Sequence, residues 1–127
     1  MSYDVKRKDD MYHVELFDEP KNCRALEMSP STLEGFLCEG VWLVLLFAVW
    51  STPDRKEIEM ALRFAKNKGI NLGIRPFEDF DENSNWCPEL TGQFGSPIWL
   101  LYDNGNLKNR KVGLCSESDL KDLVGIV

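Results

Sequence analysis

What this chain of 127 residues lacks narrows what it can do. His13 is its one histidine, and the four cysteines, Cys23, Cys38, Cys87 and Cys115, are scattered with no C-x-x-C pair among them. A zinc site built from Cys and His is therefore disfavoured, and a domain of this size needs no disulfide framework. The thiols read as reduced, in a cytoplasmic setting. No apolar run approaches the roughly 20 residues of a membrane span. The opening residues Met1 to Asp10 are polar and charged, unlike a signal peptide. A surplus of basic residues is also missing. The formal net charge is −6, which argues against a nucleic-acid binder, because phosphate neutralisation needs clustered Lys and Arg. Lys6-Arg7-Lys8 is followed at once by Asp9 and Asp10 and reads as part of a solvated arm.

What is present is a folded domain, 43% apolar and 28% charged, organised around Val41 to Asp54, V-W-L-V-L-L-F-A-V-W-S-T-P-D. The unbroken apolar run reads as a strand buried on both faces of a sheet. Ser51, Thr52, Pro53 and Asp54 then read as a helix start: hydroxyl caps, a proline in the first turn, and an acid facing the positive helix end. Such a strand-to-helix junction directs backbone N–H groups outward beyond the strand's carboxyl end, where open α/β folds place their sites.

Around this centre the chain reads in order. Residues Met1 to Asn22 carry one alternating patch, Tyr12 to Phe17, which suits either a short edge strand or an arm that orders on a partner. Cys23 to Met28 is a brief strand, and Ser29-Pro30-Ser31-Thr32 starts a helix with Leu33, Phe36 and Leu37 on one face. After the core strand, Pro53 to Lys68 is helical, with Ile58, Ala61, Leu62 and Ala65 inward and Arg55, Lys56, Glu57, Glu59, Lys66 and Lys68 on the other face. Gly69 stops it. Ile70 to Arg75 is a parallel strand, 77–85 an acidic loop, and Trp86 to Phe94 a short helix. Then come Gly95-Ser96-Pro97, the strand Ile98 to Tyr102, a turn at Asp103-Asn104-Gly105, a return strand from Leu107 to Val112, and a final helix from Ser116 to Val124.

That order, with F-A-V-W-S-T-P-D at the central junction and G-S-P-I-W-L-L-Y-D-N-G before the hairpin, resembles the thioredoxin family over residues 23–127. The resemblance implies an α/β thioredoxin fold, a central mixed sheet of four to five strands flanked by helices on both faces. Residues 1–22 are then an N-terminal arm or an extra edge strand. Trp50 and Pro53 match the family's W-C-G-P-C corner, and Pro97 matches its cis-proline. Ser51 and Asp54 stand at the two cysteine positions, and Leu45 at that of the buried acid that assists proton transfer in many members. Thiol–disulfide exchange needs an attacking thiolate and a resolving thiol. Neither is present at this corner. The backbone before the cis-proline pairs with extended peptides in the family, and that use requires no thiol.

The leading expectation is a redox-inactive module holding a protein or extended peptide in a groove formed by Trp50, Ser51, Thr52, Pro53, Asp54, Ser96 and Pro97, with no cofactor, metal, nucleic acid or membrane. Chaperone-like and structural subunits of this kind are what the resemblance implies. Each residue also has a plainer role: Ser51 and Asp54 as cap and first-turn acid, Trp50 and Trp99 as core or groove wall, Ser96-Pro97 as a tight turn. Cys87 is the candidate reactive thiol, since it falls in the first turn of a short helix whose dipole lowers a thiol pKa. It would make the chain a thiol-dependent oxidoreductase or redox sensor, against the plainer reading of a small packed residue. A third possibility is an assembly subunit that uses the arm and the acidic segment Glu78 to Glu82.

Overall fold

A computed structural model describes residues 3–8, 11–17, 23–27, 39–48, 51–77 and 96–125. Among these, the strands are β1 (Tyr3–Lys8), β2 (Met11–Leu16), β3 (Ala25–Glu27), β4 (Val41–Ala48), β5 (Asn71–Phe77), β6 (Ile98–Asp103) and β7 (Asn106–Val112). The helices are α1 (Thr52–Lys68) and α2 (Glu117–Val124). Strands β3 to β7 form one five-stranded sheet in the order β3-β5-β4-β6-β7. It is mixed: β5 runs parallel to β3 and β4, while β6 and β7 are antiparallel to their neighbours.

β4 is central because its sequence leaves no face for water. Leu43, Leu45 and Phe47 join one core with Ile58, Ala61, Leu62, Phe64 and Ala65 of α1 and Leu120, Leu123 and Val124 of α2. The alternate residues Val44, Leu46 and Ala48 are buried as well, together with Ile98 and Leu100 of β6. Both described helices lie on the first face. The helices expected from Ser29 and over Trp86 to Phe94 fall outside the described residues, as do the acidic residues 78–85.

The connections follow their local chemistry. Gly69, at φ 67°, closes α1 with its N–H on the Ala65 carbonyl, the left-handed stop that glycine permits. Asn104 and Gly105 both take positive φ, 50° and 86°, the two-residue turn that Asn-Gly favours. Ser116 and Asp119 cap α2 reciprocally.

At the amino end, where 12–17 suited either an edge strand or an arm, β2 is a strand, and 6–8, read as solvated arm, belong to β1, which pairs in register with β2 from Tyr3↔Leu16 to Lys8↔Met11. The hairpin makes a two-stranded sheet of its own. Val14 enters the main core, and Tyr3, Val5 and Leu16 pack against it. Docking is also polar: the Glu27 carboxylate accepts from the Val14 N–H and meets His13 Nδ1 at 3.0 Å, and the Tyr3 hydroxyl donates to the Arg55 carbonyl at 3.0 Å.

Candidate ligand-binding groove

The site begins where β4 hands over to α1. The Ser51 N–H donates to the Ala48 carbonyl at 3.1 Å, and the Ser51 carbonyl accepts from the Arg55 N–H at 3.0 Å. Ser51 is the N-cap, with extended backbone at φ −95°, ψ 111°. Its hydroxyl accepts from the Asp54 N–H at 3.4 Å and donates to Asp54 Oδ1 at 3.1 Å. Asp54 Oδ2 reaches past the cap to accept from the Ala48 N–H at 2.8 Å. Asp54 is only 2% exposed, while Thr52 and Pro53 face solvent. The two positions that would carry thiols are thus joined to each other by a hydrogen bond, and the acid locks the helix onto the strand end. Both plainer roles, cap and first-turn acid, are realised here.

The second segment comes from β6. Its ladder with β4 runs to Leu46↔Ile98, so Ser96 and Pro97 emerge at the carboxyl end of β4, beside the corner. The Ser96–Pro97 bond is cis, as the resemblance implies. Pro97 is buried and Ser96 half-buried. Among the described residues, no hydrogen bond engages the Ser96 backbone.

A third segment, unmarked in the sequence, lies beside Pro97. The Gly113 N–H donates to the Pro97 carbonyl at 2.8 Å, which brings the residues after β7 against the Pro97 loop. Leu114, next in sequence, is 55% exposed. Cys115 turns inward, and its N–H donates to Glu57 Oε1 at 3.2 Å. Glu57 is 8% exposed, which corrects its placement on the polar face of the helix. Its signal was spacing rather than residue type, since it lies three positions after Asp54 and four before Ala61. Burial raises the Glu57 pKa above the usual glutamate value, the Cys115 N–H partly offsets that, and Asp54 and Asp119 add to the rise.

The thiols divide. Burial pushes Cys115 up to about 11, and Cys23 is half-buried with its Sγ 3.6 Å from the Ala65 carbonyl. Trp50, Cys38 and Cys87 lie outside the described residues. Trp99 is fully buried in the core, which selects core over groove wall. Leu45 is equally buried, opposite Ile74 and Trp99. Among the described residues, no group of three or more His, Cys, Asp or Glu could hold a metal ion, and no helix is long and apolar enough to cross a membrane. An open cleft of about 500 Å³ at the other end of the sheet is flanked by Lys68 and Lys121. Those lysines complement the carboxyl ends of α1 and α2.

No family model matches the chain, nor does any curated protein. Among solved structures, the reduced thioredoxin pre-protein of Schistosoma mansoni is similar, with a TM-score of 0.63 at 16% identity over 80% of this chain and 96% of that one. At that identity the likeness defines the architecture. The chain has a thioredoxin-like fold.

Proposed function

We propose that this is a redox-inactive thioredoxin-fold module that binds an extended protein or peptide segment, in a chaperone-like or structural capacity, across Trp50, Ser51, Thr52, Pro53, Ser96 and Pro97. The observation that carries the reading is the corner itself. A hydroxyl–carboxylate pair, internally hydrogen-bonded and anchored to Ala48, stands where the dithiol reaction would need two sulfurs. The Ser96 backbone beside it supports pairing with an added strand, and Leu114, exposed next to the residue tied to Pro97, offers an apolar side chain. The same reading covers the second face of the sheet with the helices expected from Ser29 and at Trp86 to Phe94. The setting proposed with this reading is cytoplasmic, on the ground of the four scattered cysteines of the sequence.

The test pairs two assays on the full chain. Insulin-disulfide reduction should show no turnover. Fluorescence anisotropy with a labelled, S-carboxymethylated insulin B chain should show saturable binding that is weakened at least tenfold by Thr52→Arg, which fills the groove from an exposed position, and unchanged by Lys6→Ala in the hairpin. Turnover abolished by Cys87→Ser would replace this reading with a thiol enzyme. Binding lost through the hairpin variant alone would move the surface to the amino-terminal segment.

A further inference from the structure

Two carboxylates on one helix reach the two sides of the proposed groove. Asp54 fixes the corner through the Ala48 N–H. One turn on, Glu57 fixes the loop after β7 through the Cys115 N–H. On its other side that loop is tied by the Gly113 N–H to the Pro97 carbonyl. Leu114 therefore sits between two anchored neighbours, an exposed apolar side chain on a short, tethered arch. We infer that Glu57 is a positioning residue of the groove: from the buried side of α1 its carboxylate holds residues 113–115, and with them Leu114, where a bound peptide would meet them. The inference rests on the groove reading given above.

Physical chemistry explains why a carboxylate makes a sensitive anchor. Burying the charge is costly, but a charged acceptor makes the stronger bond to an N–H. Protonation relieves the burial and weakens the bond. The groups around Glu57 are Asp54 on its own helix, the Cys115 thiol in the loop, and Asp119 of α2. Lys111 of β7 lies 3.3 Å from Asp119. Because burial raises the Glu57 pKa in the folded state, the fold binds this proton more tightly than the unfolded chain does. Global stability from this group is thus present below the ordinary glutamate pKa and is lost as pH rises through the raised value. The loop anchor changes in the opposite sense, strengthening as the carboxylate ionises. A carboxyl that merely filled space would not separate the two.

The experiment follows both quantities in wild type, Glu57→Gln and Leu114→Ser as the pH is lowered from about 7.5 towards the ordinary glutamate value of about 4.3. Hydrogen-exchange protection of the Cys115 amide reads the anchor, and anisotropy with the carboxymethylated B chain reads the groove. Glutamine keeps the shape without the buried charge, so the variant folds, and its own titration curve with the same probe subtracts the probe's protonation. In wild type, Cys115 protection should fall about tenfold on acidification, with B-chain affinity falling several-fold in parallel. Glu57→Gln should be flat and weak in both. Leu114→Ser should weaken binding while leaving Cys115 protection intact. A Glu57→Gln protein that keeps wild-type affinity, wild-type pH profile or full Cys115 protection overturns the inference while leaving the groove standing. A wild type that ignores the B chain overturns the groove reading, and the binding role of Glu57 with it.

Discussion

Replacing Asp54 with alanine isolates what the corner contributes. The side chain is buried and accepts from Ala48 N–H at 2.8 Å and from the Ser51 hydroxyl at 3.1 Å. Ala48 has no exposed surface, so its N–H would lose its partner with no water to replace it, at a cost of roughly 1–3 kcal/mol. Loss of a first-turn acid on the helix dipole adds about 0.3–1 kcal/mol. The expected destabilisation is about 3 kcal/mol, which at this chain length lowers Tm by roughly 10 °C. Asp54→Asn keeps one carbonyl oxygen for the Ala48 N–H, and its amide can donate to the Ser51 hydroxyl, so it should cost only about 1 kcal/mol. Urea unfolding of wild type, Asp54→Ala, Asp54→Asn, Ser51→Ala and the Ser51→Ala/Asp54→Ala double variant gives the cycle. The double variant should be less destabilised than the sum of the singles by about 0.5–1.5 kcal/mol, because the two side chains share a bond. An Asp54→Ala protein within about 0.5 kcal/mol of wild type would refute the lock.

Further outcomes follow from the same structure. Ser51→Cys with Asp54→Cys should close a disulfide under mild oxidant, read by thiol titration, because the positions already touch through side chains; failure to close would contradict the corner's geometry. Before oxidation that variant should be less stable than wild type by about 2 kcal/mol, since the Ala48 N–H again lacks its acceptor. Cys115, buried and pushed up to about 11, should resist iodoacetamide at pH 8 in the folded protein, where about one thiol in a thousand is ionised. Rapid labelling of Cys115 without unfolding would count against that burial. Glu27→Ala removes the carboxylate that holds Val14 and His13, and exchange should then rise by about tenfold or more over 3–16 with little change in β4 and β6. A uniform rise across the sheet would show that the hairpin is not a separable unit.

The parts of the fold legible in sequence were those in which residue type and conformation coincide. A short apolar run with no alternation, ended by a polar, proline-bearing corner, reads as a strand covered on both sides, and β4 is that strand. Ser51 with Pro53, Gly69, Asn104-Gly105 and Ser116 mark boundaries because each supplies a group or a backbone angle that the boundary requires. β1 was hidden for the converse reason. In Y-D-V-K-R-K the apolar Tyr3 and Val5 turn to the core, and a short strand otherwise made of charged residues has the composition of a solvated arm. Leu114 had no periodic signal either, since it lies between elements and is defined only by the tethering of Gly113 and Cys115.

Glu57 shows a deeper limit. Charge assigned it to the outer face of the helix, whereas in its buried place it accepts from a backbone donor that arrives from a loop 58 residues away. The same consideration explains why acids stand at 54 and 57 and not at 45. In the middle of β4, paired on both sides by β5 and β6, the backbone N–H groups are taken by the ladders, and a carboxylate there would be costly for want of a donor. On the first turns of α1 a carboxylate meets the N–H groups of Ala48 and Cys115, which lie where strand ends turn into loops and need acceptors. Leu45 and the Asp54–Glu57 pair are thus two sides of one arrangement, in which the buried acids near this corner hold backbone N–H groups.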